Sequence, residues 1–422
     1  MAYRFKRDFE QLRRHGFGSL AHVPFLLSSD LRYLDEFNQY LVERSEGAWH
    51  PNRRDGLAFG RVTLPSANTM SAYSADLENW ATYLEQTGGN WRTITYQELL
   101  ATYDADMFSG RWSTAGRGLS PSTINRRVDR AVEFMVWAAD RGLRPAFLVV
   151  TTLSARSHHS RGGEVRAVQF QARTSRHHQH PKRLRLPEEE EVQLWLDDVC
   201  RRSGPTLSLM CETVLQTGMR LEEVVHLREW QLPDLEGHNP GRPVRMEIRF
   251  GTKGGRRPGD LSLQGKVRHL RFDETFHQKL LSYRDLRRKV SQRRSAARRG
   301  TRSDRLFLSE RTGAPIQSGS FYRAWRTSEC LPFEGFSPHL GRHYFACTTL
   351  MRLIRQEQSL RGSFDGVSPA SSIEVARTLV STYLRPVLGH MSVSTTELYL
   401  DWVADQLWTP SASGAWSSFL EG

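Results

Sequence analysis

Between residues 151 and 185 the hydrophobic period of the chain stops. The stretch "TTLSARSHHSRGGEVRAVQFQARTSRHHQHPKR" is rich in Ser, Arg, His and Gly, and it separates two lengths of chain that both carry helical patterning. A segment of this composition buries little, so each flanking part needs a core of its own. The reading is a flexible basic linker over 151–185 between two domains, and 422 residues suit two or three. The run "RHHQHPKR" within it reads as linker rather than as a metal site.

On the N-terminal side, "SANTMSAYSADLENWATYLEQTG" puts Met70, Tyr73, Leu77, Trp80 and Leu84 on one helical face, with Gly88 as its stop. "TYQELLATYDADMFSG" reads as a shorter helix. "LSPSTINRRVDRAVEFMVWAADRGL" reads as a third, with Ile124, Val128, Val132, Phe134 and Trp137 apolar. Its opening supplies a cap, a first-turn Pro and two arginines. These lines predict an all-helical unit over 66–150. Residues 1–65 read as an N-terminal extension with one amphipathic helix, carrying Leu31, Leu34, Phe37, Tyr40 and Leu41.

On the C-terminal side, helices are expected from "LRLPEEEEVQLWLDDVC" to Leu232, then two strands, "RPVRMEIRFGTKGG" and "KVRHLRF", around a long turn, then helices again. Ten basic and two acidic residues fall between Arg284 and Arg305. That run suits a phosphate-contacting arm as well as a solvated helix and loop.

Charge narrows the partner. Lys and Arg number 59 against 46 Asp and Glu, a formal net charge of +13, which suits nucleic acid. The longest apolar runs are too short to cross a bilayer, and no secretory signal is expected from the first residues. Four cysteines, none in a C-x-x-C, fit a reducing, cytoplasmic compartment. A Walker A loop needs four residues between its glycine and G-K; Gly259 to Gly265 leaves five, and Val267 stands where Ser or Thr is required. No zinc, H-E-x-x-H or EF-hand spacing occurs, so no metal or other cofactor is expected, and a two-metal nuclease has no support.

Four segments remain, in this order: "TGMRLEEVVHL", "RFGTKGGRR", "SPHLGRHYFA" and "LGHMSVSTTELYL". Each alone has an ordinary reading: a helix-surface ion pair, a turn lysine, a chance helical face, a core tyrosine. As an ordered set they resemble the tyrosine recombinase, or phage integrase, family. Its pattern is T-G-x-R-x-x-E, a hairpin Lys, H-x-x-R-H, L-G-H, and a Tyr nine residues after that His. The resemblance spans about 186–402, and the 66–150 helices look like the family's core-binding domain. The spacing between the second Arg and L-G-H is longer than the family's, the hairpin is long, and the first 65 residues match nothing in it.

The resemblance implies a mainly α fold with a small antiparallel β-sheet: an N-terminal extension (1–65), a helical core DNA-binding domain (66–150), a basic linker (151–185), a mixed α/β catalytic domain (186–402) and a C-terminal tail (403–422) that docks on a neighbouring subunit. It implies catalysis by Arg220, Glu223, Lys253, His339, Arg342, His390 and Tyr399. Arg220 and Arg342 would clamp the phosphate, Tyr399 would attack, and Lys253 would protonate the leaving 5′ oxygen. His390 would donate to a non-bridging oxygen, and Glu223 would orient the pocket. Arg126, Arg127, Arg256, Arg257 and His343 are expected to contact DNA. The implied partner is a double-stranded recombination site, bound by a homo-tetramer or by an assembly with related recombinases, in a nucleoid-associated protein. An inert DNA-binding protein of the same fold and a type IB topoisomerase are the alternatives.

The residue chemistry suits that reading independently. Guanidiniums are permanently charged, fork-shaped donors for the oxygens on which charge grows. Ionising a tyrosine at neutral pH costs about 4 kcal/mol, so a basic pocket helps, and His339 is well typed to take the proton. Ser394 and Glu397 have capping-box spacing, which predicts a helix carrying Tyr399, with His390 in the turn before it. Tyr383 has no His at the matching offset.

Overall fold

The computed structural model describes residues 1–51, 64–159, 165–179, 183–235, 239–252, 264–299, 302–360, 369–389, 395 and 397–407. The chain forms two compact units that divide between Pro181 and Lys182. It is mainly helical with small antiparallel sheets, as expected. Among the described residues no helix is long and apolar enough to cross a membrane.

The first unit begins with β1 (Tyr3–Phe5), α1 (Phe9–Arg14), β2 (Phe25–Leu27) and α2 (Asp35–Glu46). Next come α3 (Ala67–Thr87), α4 (Tyr96–Leu99), which runs through a π turn into α5 (Ala105–Ser109), and α6 (Pro121–Asp140). Ser66 and Ser120 cap α3 and α6 from their side chains, and Gly88 ends α3 at positive φ. The apolar faces expected for α3 and α6 form the core: Met70, Leu77, Trp80, Ile124, Val128, Phe134 and Trp137 are all buried.

Two expectations for this unit are corrected. The first 50 residues are not a separate extension. α2 inserts Phe37 and Tyr40 among the α6 rings: Phe37 stacks on Phe134 with centroids 4.3 Å apart, and Tyr40 meets Trp137 at 5.7 Å. Leu31 is exposed at positive φ, because the helix begins only at Asp35. Nor are residues 151–185 a structureless linker. β3 (Thr151–His159) and β4 (Val165–Arg173) form an antiparallel hairpin, paired from Thr151↔Arg173 to His159↔Val165. Its base is tied down by Arg173 Nε on Asp129 Oδ1 at 2.6 Å. Asn125 then brackets the backbone of His177, whose Nε2 lies 2.7 Å from Asp104 Oδ1.

The second unit is built from α7 (Glu189–Ser203), α8 (Pro205–Thr217), α9 (Leu221–Val225), β5 (Val244–Phe250), β6 (Gln264–Phe272), α10 (Glu274–Tyr283), α11 (Lys289–Arg299), α12 (Ser318–Arg326), α13 (Pro338–Leu360), α14 (Pro369–Leu379) and α15 (Arg385–Leu388). β5 and β6 pair antiparallel, Val244 opposite Phe272 and Ile248 opposite Arg268. One core joins them: Trp195 of α7, Met210 of α8, Ile248, Leu270, Trp325 of α12, and Leu350 of α13. Gly341 lets α13 lie against the Trp325 ring, where a Cβ would meet ring carbons at 2.5 Å. The basic run after Arg284 is partly internal. Arg288 is buried on Glu229 and on the carbonyls of Arg305 and Ser303, and Arg305 reaches the Val225 carbonyl.

Candidate active site

α8 ends at Thr217, and Gly218 turns the chain at φ +61°. A Cβ there would meet the Phe345 ring at 2.4 Å, so this tight turn needs glycine. It delivers Arg220 to the start of α9. The Arg220 backbone N–H donates to Glu223 Oε2 at 2.7 Å, and its Nη1 donates to Glu223 Oε1 at 2.9 Å. Its Nη2 donates to the Gly389 carbonyl at 3.1 Å.

Glu223 is fully buried and holds a second arginine, Arg268, which donates from Nε at 3.2 Å and again from Nη2. Burial pushes the Glu223 carboxyl up, but Arg268 and Arg220 outweigh it and hold the group below its ordinary value. Arg268 was not foreseen. The strand pattern carried a signal: Arg268, Leu270 and Phe272 alternate toward the buried face of β6, where an arginine needs an acid.

Arg342 lies on the first turns of α13 and is 5% exposed. Its two terminal nitrogens donate to the Gly218 and Leu388 carbonyls. One guanidinium thus joins the turn before Arg220 to the end of α15. Burial, with Arg220 and Arg268 nearby, lowers its pKa from the usual arginine range to about 9, so it stays charged at neutral pH.

Residues 397–407 are helical and carry Tyr399, which is 1% exposed. Its hydroxyl lies 2.9 Å from His343 Nδ1. Burial raises the phenol above its ordinary value and the neighbouring Cys347 adds to this, while Arg342 and Arg220 pull it down. His339, one turn before His343 on α13 and exposed, places its Nε2 3.2 Å from His343 Nε2.

The structure therefore brings Arg220, Glu223, Arg342, His339 and Tyr399 into one cluster of the second unit. It changes two expectations. His343, expected on DNA, is buried against Tyr399, and the phenol's partner is His343 rather than His339; H-x-x-R-H puts either His one turn or less from Arg342, so spacing alone does not separate them. Lys253, Arg256, Arg257, His390 and Ser394 lie outside the described residues. Arg126, expected on DNA, is paired with the buried Asp76 at 2.9 Å and remains half-exposed. Arg127 is partly buried. Tyr383 lies half-buried in the π turn before α15, and burial raises its pKa.

No family model matches the chain. Tyrosine recombinase XerC of Roseiflexus castenholzii is 25% identical over 351 residues, covering 83% of this chain and 88% of that protein. Among solved structures, XerH site-specific recombinase bound to its difH substrate is 15% identical, with a TM-score of 0.46 over 81% of this chain and 80% of that one. A lambda integrase dimer bound to a COC′ core site is 12% identical, with a TM-score of 0.48 over 87% of this chain and 94% of that one. The reading of the site rests on its residues and not on these overlays. By sequence, over most of its length, the chain is similar to a tyrosine recombinase.

Proposed function

We propose that this protein is a site-specific DNA recombinase that breaks and rejoins strands through a 3′-phosphotyrosine bond at Tyr399. The observation that carries the reading is one cluster: His343, next to Arg342 on α13, lies 2.9 Å from the Tyr399 hydroxyl, and Arg342 and Arg220 donate to the adjacent carbonyls of Leu388 and Gly389. A phosphodiester is anionic and gains charge on its non-bridging oxygens as a nucleophile approaches in line. Two fixed guanidiniums lower that barrier without a metal, and the phenol supplies the nucleophile.

In this reading Glu223 keeps Arg220 aimed and does not react. Lys253 protonates the leaving 5′ oxygen, and His390 donates to a non-bridging oxygen. A phosphotyrosine ester is close in energy to the phosphodiester it replaces, so rejoining needs no ATP. Because the phenol is almost wholly covered, a phosphate reaches it only when the pocket opens. Two duplexes and four strand exchanges call for four active sites, hence a tetramer or an assembly with related recombinases on DNA; Val403 and Leu407, expected in the tail, pack in the unit's own core instead, so docking on a neighbour falls to the chain beyond Leu407.

The direct test is an SDS-stable protein–DNA adduct on nicked recognition DNA, formed in EDTA. Its absence in a well-folded, DNA-binding preparation would favour an inert DNA-binding protein.

A further inference from the structure

We propose that His343 is a catalytic residue that passes the Tyr399 proton through its ring to His339, so that the charge lands at the surface instead of in the buried pocket. This rests on the recombinase reading above. His343 and His339 are four residues apart on α13 and so share a helical face. The Tyr399 hydroxyl is 2.9 Å from His343 Nδ1, and His343 Nε2 is 3.2 Å from His339 Nε2. The rings meet edge to face, 5.4 Å apart for His343 and Tyr399 and 4.5 Å for the two histidines. One tautomer satisfies both contacts in the direction needed: His343 accepts from the phenol at Nδ1 and donates from Nε2 to His339. The outer end of this path is exposed, while the inner two residues are 1% and 7% exposed.

Among the described residues, the other groups that act on the phenol are poor proton acceptors. They are Cys347, whose thiol burial holds protonated, and the cations Arg342 and Arg220. His343 itself is a poor final acceptor: burial, His339 and Arg342 lower it to about 4. A relay removes that difficulty. The ring takes one proton and gives up another, and its net charge stays zero.

The step balances as follows. The Tyr399 O–H bond breaks and an Nδ1–H bond forms on His343; the His343 Nε2–H bond breaks and an Nε2–H bond forms on His339. The phenolate electron pair forms the bond to phosphorus as the bond to the 5′ oxygen breaks, and that oxygen takes its proton from the leaving-group acid. Rejoining runs the same transfers backward, so each cycle resets the tautomers.

The test is single-turnover adduct formation on nicked DNA by wild type, His343→Asn, His339→Gln and the double variant, with DNA affinity and thermal unfolding measured in parallel. His343→Asn should lose about 100-fold in rate with DNA affinity kept, the scale of one general base. Two members of one path do not add, so the double variant should be no slower than His343→Asn alone. A 5′-bridging phosphorothiolate, whose sulfur leaves without a proton, should not restore either variant. A wild-type rate in His343→Asn, losses that multiply in the double variant, or rescue by the phosphorothiolate would each overturn the relay. If His343→Asn does not fold, the exposed His339→Gln decides the matter by the same two criteria, a loss in rate and no rescue by sulfur. Failure of the wild type to form any adduct would instead overturn the recombinase reading itself.

Discussion

Arg268 of β6 and Glu223 of α9 form a buried ion pair beneath the two-arginine pocket, and the same carboxylate holds Arg220. A carboxylate with no exposure requires both partners. Arg268→Met should destabilise the second unit by about 3 kcal/mol, the scale for breaking a buried pair. It should also slow adduct formation, because Arg220 loses its fixed support. Denaturant unfolding and single-turnover cleavage check the two effects. Unchanged stability would contradict the pairing.

Arg342→Lys should abolish most cleavage while DNA binding persists. The guanidinium spans two carbonyls, Gly218 and Leu388, and a single ammonium cannot hold both and still face a phosphate. A loss of roughly 100-fold to 1,000-fold is expected, as for removal of one preorganised charge donor. Cleavage near wild type would show that the fork is not needed.

Acidification should weaken the second unit through His343. Its folded pKa, about 4, is below the ordinary 6.5, so the unfolded chain binds the proton more readily. The neutral ring's contribution is complete above about pH 6.5 and is lost as pH falls toward 4, by at most about 3 kcal/mol. Thermal unfolding across this window should show the decline, and His343→Asn should flatten it. An unchanged slope in that variant would contradict the assignment.

DNA binding should weaken steeply with salt, with a logarithmic slope of about −0.9 per phosphate neutralised. Arg126→Ala should change that slope little, because Asp76 already occupies the guanidinium. A slope near zero in the wild type would contradict a basic clamp on the backbone.

Apolar spacing made α3 and α6 legible at the helical period and β5 and β6 at the two-residue period of strands, since each buries one face. Arg220, Arg342 and Tyr399 were singled out by the ordered motifs of a family resemblance, and the fold gathers them in the second unit. The β3–β4 hairpin was not legible. Its strands are Ser- and Arg-rich with few apolar residues, and what anchors them is polar: Arg173 on Asp129 and His177 on Asp104. The role of α2 was missed because its rings are buried by partners about 100 residues away, Phe134 and Trp137. The contact of His343 with Tyr399 was not legible, because a histidine beside an arginine looks like a DNA contact until the fold turns it inward.

The central claim is that the Tyr399 hydroxyl attacks DNA. Wild-type protein should form an SDS-stable adduct on nicked recognition DNA, with the peptide containing Tyr399 linked to a 3′ phosphate. Tyr399→Phe should form none while still binding DNA. An adduct that survives Tyr399→Phe, or that maps to Tyr383, would contradict the account.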